Sequence, residues 1–296
     1  MSRGDFILVT FVYVFLAILL VIFTLPLLNV LSSSFSSPGA VMGGKVWAWP
    51  VDLSVESYTV MFSIRQIWLG YGNSFFYAGV GTLINLIFTV AAAYPLSKRE
   101  MMGRGTVMGL FAFTMFFGGG LIPTFMLIRS LGMINTRWAL IIPNAIGVGN
   151  MIIARTFFQT GIPGELYDAA EIDGASEITT LIRLVLPLSG PIIAVLGLWY
   201  AVGHWNDFFM ALIYLTDFNL YPLQLVLREY LFNSNMLEQI LSAGGMTTAD
   251  DIARRMGQLE VLKYAIIVVA SLPMIMLYPF IQRFFIKGVM VGSLKG

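Results

Sequence analysis

The chain has 296 residues, 58% of them hydrophobic and 11% charged, with mean hydropathy +0.83 and net charge +1. A soluble domain carries about 25% charged residues, so this composition points to a polytopic membrane protein and gives no electrostatic case for nucleic acid. With no Cys and a single histidine, His204, the chain has no disulfide, no thiolate nucleophile and no histidine metal cluster.

A helix needs about 20 apolar residues to cross the hydrocarbon core. Phe6 to Leu28 carries no charge and reads as the first span; its apolar run is too long for a signal-peptide core, so it is expected to be retained. Asn29 to Asn73, with Ser32-Ser33-Ser34, Pro38-Gly39 and Pro50, reads as an extended outer loop, with a surface helix near Leu53 to Tyr58. Phe75 to Leu96 is the second span, and Ser97 to Thr106 a tight basic turn holding Lys98, Arg99 and Arg104. Val107 to Ile128 is the third; Gly118-Gly119-Gly120 and Pro123 predict a kink or an unwound half. No Gly-Lys-Ser/Thr follows these glycines, so they are not a phosphate loop. Trp138 to Ala154 is the fourth span, roughly Leu188 to Tyr214 the fifth, and Tyr264 to Ile281 the sixth. The fold class is thus all-α and polytopic, one domain over residues 1–296 with six spans. The basic turn at Lys98, Arg99 and Arg104 places both termini in the cytosol, although Arg129 and Arg137 in a short outer loop argue the other way.

Between the fourth and fifth spans lies Gly164 to Pro191, the longest segment combining charge with a helical pattern. It reads as two short amphipathic helices. Asp173-Gly174 breaks the first, since Gly readily takes the left-handed conformation at a helix C-terminus. Ser176 or Asp173 caps the second, whose apolar face is Ile178, Leu181, Ile182 and Val185, and Leu186-Pro187 stops it. Glu165, Asp168, Glu171, Asp173 and Glu177 keep the loop in water. The pattern fits a docking surface; an ordinary solvated linker would look similar.

The pattern Asp168-Ala169-Ala170-x-x-Asp173-Gly174-Ala175, then Leu186-Pro187-Leu188 and Pro191, resembles the EAA loop of membrane subunits of ABC importers. The surrounding chain resembles their MalG-like, carbohydrate-type permeases, and the likeness extends through Trp205-Asn206-Asp207-Phe208 to Gln282–Gly288 and Leu294-Lys295-Gly296. Asp168 stands where the motif carries Glu, keeping the carboxylate with one methylene less reach. The ending Val-Met-x-Gly-Ser-Leu-Lys-Gly is similar to that of a subgroup importing oligosaccharides from degraded plant or algal polysaccharides, alginate and pectin among them.

The resemblance implies the type I importer permease fold in a bacterial cytoplasmic membrane. It implies that residues 164–191 are the coupling loop, with Asp168, Ala169, Ala170, Asp173, Gly174, Ala175, Leu186 and Pro187 facing an ATPase groove. It also implies the partners: a second homologous permease in a heterodimer, two ATPase subunits that hold ATP and Mg, and an extracytoplasmic solute-binding protein. The chain itself carries no Walker A motif and no cofactor. The outer loop, 216–258, is then the binding-protein contact through Tyr230, Asn233, Asn235 and Ser242. The fifth span offers Trp199, His204, Trp205, Asn206 and Asp207, joined by Asn144 from the fourth, as a pathway wall in which aromatics stack on sugar rings and amides or carboxylates bind hydroxyls. The alternatives are an interfacial belt for Trp199 and Trp205, and helix-to-helix hydrogen bonds for Asn85, Asn144 and Asn150. A secondary transporter would need a buried carboxylate dyad for proton coupling, and an intramembrane enzyme a nucleophile or metal cluster; the sequence supplies neither.

Overall fold

The computed structural model describes residues 3–232 and 249–293. The helices are α1 (Arg3–Ser34), α2 (Pro38–Met42), α3 (Glu56–Ser63), α4 (Arg65–Ser97), α5 (Arg104–Phe116), α6 (Leu121–Ser130), α7 (Trp138–Ile141) and α8 (Val148–Thr160). They continue with α9 (Gly164–Ile172), α10 (Glu177–Leu188), α11 (Gly190–Asn206), α12 (Phe209–Tyr214), α13 (Leu223–Phe232) and α14 (Ala249–Ser293). Among the described residues, extended pairing is confined to one isolated bridge, Ser36 to Leu53.

Two compact units divide the chain. The first is Met1–Trp68 with Val226–Pro273. Here α1 runs six residues past the predicted first span, to Ser34. The following segment is not an extended loop but a tied cap. Asn29 donates to the carbonyls of Val46 and Trp47 at 3.0 and 3.1 Å, and Ser32 to that of Ala48 at 2.8 Å. These side chains replace the partners that a loop backbone would otherwise lack. The surface helix is α3, later than the predicted Leu53 to Tyr58, and Tyr58 shares a 2.8 Å hydrogen bond with Ser34. Met61, Ile67, Val226, Val261 and Ala265 are buried in this unit, while most apolar side chains of α1 from Phe6 to Phe23 stay exposed.

The second unit is Leu69–Leu225 with Met274–Gly296. It has two apolar clusters. One joins Tyr77 of α4 to Ile128, Leu140, Ile141, Ala211, Tyr214 and Leu225. The other joins Ala93, Tyr94 and Leu96 of α4 to Met151, Ala154, Phe158, Val185 and Leu196. Helix α4 is therefore the post on which both clusters are built.

Among the described residues, three helical stretches are long and apolar enough to cross a membrane: Gly4–Ser34, Arg65–Ser97 and Gly257–Pro279. Two bent pairs bring the number to five: α5 with α6 at 114°, and α10 with α11 at 82°. The first bend is the predicted glycine kink, with Gly120 at φ +81°. The second corrects the fifth span, which begins at Gly190 rather than Leu188: Pro187 does not stop α10, because the helix widens to a π-turn over Leu181–Val185 and absorbs the missing donor before bending at Ser189. The predicted fourth span, Trp138 to Ala154, is not one helix. Residues 142–147 are unwound, since Pro143 has no N–H to give and Gly147 is extended at φ −80°, ψ 108°. The predicted outer segment, 216–258, holds α13 and the start of α14, and the last apolar span begins at Gly257.

Candidate functional site

The break in the Gly164–Pro191 loop is a Schellman motif. The Gly174 N–H donates to the Glu171 carbonyl at 2.9 Å and the Ala175 N–H to that of Ala170 at 2.9 Å. This pairing closes α9 only if Gly174 is left-handed, and its φ is +69°. Asp173 is thereby the C-cap of α9, so the cap of α10 is Ser176 alone, which accepts from the Thr179 N–H at 3.3 Å. The predicted apolar face of α10 divides in two. Val185 is fully buried and Leu181 half-buried, whereas Ile178 and Ile182 are 70% and 57% exposed. With Ile172 of α9 at 87%, the loop exposes three isoleucines together with the acids Asp168, Glu171 and Asp173.

The loop is held to α4 and α8 from behind. Tyr94 of α4 donates its hydroxyl to Glu177 Oε2, and Lys98 Nζ lies 3.2 Å from the same oxygen. Lys98 also sits over the rings of Tyr167 at 4.4 Å and Tyr94 at 5.2 Å. Tyr167 in turn donates to the Phe158 carbonyl at 3.1 Å. The Tyr94 hydrogen bond, with Lys98 beside it, holds the Glu177 carboxyl below its ordinary 4.5, and burial together with the Glu177 charge pushes the Tyr167 hydroxyl above its ordinary 10.0. Arg155 and Gln159 of α8 cap the end of α4 by donating to the carbonyls of Leu96 and Ser97 at 2.9 and 3.0 Å. A groove of about 1260 Å³ opens beside this knot, with Lys98, Arg99 and Arg104 among its cations and Asp168, Glu171 and Glu177 among its acids. Tyr94, Lys98, Tyr167 and Glu177 were not among the predicted site residues. The i, i+4 spacing of Tyr94 and Lys98 at a helix end was the available signal.

The fifth-span candidates do not converge on one wall. Trp205 is 1% exposed and packs against the rings of Phe75 and Tyr71 at 5.3 and 6.2 Å, so it is a core residue. His204 Nε2 lies 2.7 Å from Asn85 Oδ1, and Asn85 donates through Nδ2 to the Asn144 carbonyl at 2.6 Å. His204 is thus engaged in joining α11 to α4, and Asn144 contributes its backbone while its side chain is exposed. The imidazole passes over Gly81 so closely that a Cβ there would lie 2.5 Å from Nε2. Asp207 accepts from the Met210 N–H at 3.1 Å and starts α12. Trp199 and Asn206 are exposed and are left as the candidates free to meet a ligand or a lipid. A residue that was not predicted, Tyr200, bonds Thr89 at 2.7 Å and accepts from the Gly147 N–H at 3.1 Å. The predicted contacts Asn233, Asn235 and Ser242 lie outside the described residues, and Tyr230 is half-buried on α13.

Broken apolar helices joined by a charged two-helix loop fit the permease class of membrane protein. No protein-family model matches the chain. It is 41% identical over 272 residues to the protein LplC of Bacillus subtilis (strain 168), covering 92% of this chain and 89% of LplC. It is 38% identical over 285 residues to the polygalacturonan/rhamnogalacturonan transport system permease protein YtcP of the same organism, covering 96% and 97%. Among solved structures it matches a chain of a bacterial ABC transporter involved in the import of the acidic polysaccharide alginate, with a TM-score of 0.86 and 31% identity over 96% of this chain and 99% of that one. The chain belongs to the MalG-like, carbohydrate-type permease subunits of ABC importers.

Proposed function

We propose that this chain is one of two permease subunits of an ATP-driven importer for oligosaccharides cut from an acidic polysaccharide such as a pectin or alginate. The observation that carries the reading is end-to-end likeness to two proteins whose descriptions name such polymers, one a pectin-type permease and the other the alginate importer. In this reading six spans cross the cytoplasmic membrane with both termini inside, the unwound fourth being completed by its neighbours. The loop surface with Ile172, Ile178 and Ile182 seats in a groove of a cytosolic ATPase subunit, and Gly174 sets the angle of the lever. Two ATPase subunits bind ATP and Mg, and closing of their dimer moves the loop. The segment after α12 receives the extracytoplasmic binding protein. This chain hydrolyses nothing itself.

The test is reconstitution with the neighbouring permease, ATPase and binding-protein genes. The expected result is ATP-dependent uptake of oligogalacturonide or alginate oligomer into proteoliposomes, with little uptake of a neutral arabino-oligosaccharide. Neutral sugar preferred over both acidic oligomers would overturn the substrate assignment. Uptake without ATP, or a chain that purifies without any ATPase, would overturn the importer reading.

A further inference from the structure

We propose that Tyr94, Lys98, Tyr167 and Glu177 form the joint that makes the coupling loop and the end of α4 move as one body. The inference rests on the reading that the loop docks an ATPase. Gly174 shapes the loop by its backbone, and the space on its side-chain face is open: nothing lies within 4 Å of where its Cβ would be. The push must therefore leave the loop elsewhere. Glu177 is placed for this. It is the first residue of α10, directly after the turn and its Ser176 cap, and a single carboxylate oxygen takes both the Tyr94 hydroxyl and the Lys98 ammonium. Lys98 closes the triangle by lying over Tyr167 on the other loop helix. Both halves of the lever, α9 and α10, thus grip one cation at the end of α4.

The joint is built for position rather than for stability. The Glu177 side chain is 70% exposed, and exposed ion pairs contribute little to folding. The apolar cluster of Tyr94, Phe158, Ile162 and Val185 holds the region together without it. What the pair adds is direction, since a push along α10 reaches α4 through Oε2 of one side chain. The four are positioning residues, and their loss should separate lever movement from helix movement while leaving the assembly intact.

The absence of Cys makes this measurable. Spin labels at Glu165→Cys at the start of the loop and Met102→Cys beyond α4 occupy exposed sites outside the surface assigned to the ATPase groove. The full complex is used, with cysteine-free partner subunits, with and without ATP-Mg under vanadate trapping. In the wild type the distance between labels should not change with nucleotide. In Lys98→Met, Glu177→Gln and Tyr94→Phe it should shift or broaden on trapping by about 2 Å, the scale of helix shifts in switching proteins. The reversed pair Lys98→Glu with Glu177→Lys should bring the distance back only part of the way, since it restores the ion pair to α10 and leaves no cation over Tyr167, which no purely structural role predicts. Variants that keep their ATPase subunits and show the wild-type distance in both states would overturn the joint. Failure of the wild-type complex to retain ATPase subunits would instead overturn the docking reading beneath it.

Discussion

Gly174 offers the sharpest separation of shape from bulk. At φ +69° a residue with a Cβ is strained by about 1–2 kcal/mol, and the site is open, so no clash adds to this. The strain is relieved if the Schellman pairing opens, which would shift the balance from the set turn toward open forms by roughly five- to thirtyfold. Gly174→Ala should therefore weaken coupling, and Gly174→Val, β-branched and stiffer, should weaken it more. Gly174→Asn is the control, because Asn tolerates the left-handed region while being larger than Ala. The assay is retention of ATPase subunits on purification, together with ATP hydrolysis stimulated by the loaded binding protein. The expected order of activity is Gly, then Asn, then Ala, then Val. An order that follows side-chain volume, with Asn below Ala, would refute the argument from backbone conformation.

At Gly81, an added methyl 2.5 Å from His204 Nε2 must push the imidazole off Asn85, so Gly81→Ala should destabilise the complex by about 1–3 kcal/mol in thermal unfolding. Adding His204→Ala should recover much of that loss if the clash is its cause. Trp205→Ala should cost about 3–5 kcal/mol and reduce assembly, while Trp199→Ala should assemble normally and alter only transport. Because the folded-state pKa of Glu177 lies below its ordinary 4.5, its contacts are present above that value and are lost as pH falls through the lower folded value; the side chain is 70% exposed, so the acid-side loss of stability should be slight, and it should be absent in Glu177→Gln. Impermeant thiol reagents should label Lys45→Cys and Met102→Cys from opposite faces of the membrane; labelling of both from one face would refute the orientation.

The membrane class, the long helices and the loop break were readable because each rests on local chemistry. Apolar length dictates α1 and α4, and only glycine serves the Gly174 turn. Two features were not readable from a proline alone. Pro143 signals a weak point in a span, but whether the helix survives there depends on Asn85 and Tyr200, more than 50 residues away, which take over the freed backbone groups. Likewise Pro187 reads as a stop, yet a π-turn just before it lets the helix continue to Leu188. The cluster of aromatic and polar residues from Trp199 to Asp207 looked like a wall by composition. Helical geometry scatters it: Trp205 goes to the core, His204 to α4, and Trp199 and Asn206 outward. The missed joint at Glu177 pairs it with Lys98, 79 positions away, so a short window shows only its Tyr94 and Lys98 side.

The unwound stretch in the fourth span has a geometric consequence for its neighbours. Its Asn144 carbonyl is tethered to Asn85 on α4, and its Gly147 N–H to Tyr200 on α11. Three residue steps separate the tether points, and extended chain spans at most about 3.6 Å per residue, so the leash is about 11 Å at full stretch. Unlike a helix, this stretch can lengthen or slacken without breaking a ladder of its own. It therefore sets a travel limit. Small sliding of α4 along α11 is taken up by the leash, while a larger stroke must release one of two identifiable hydrogen bonds.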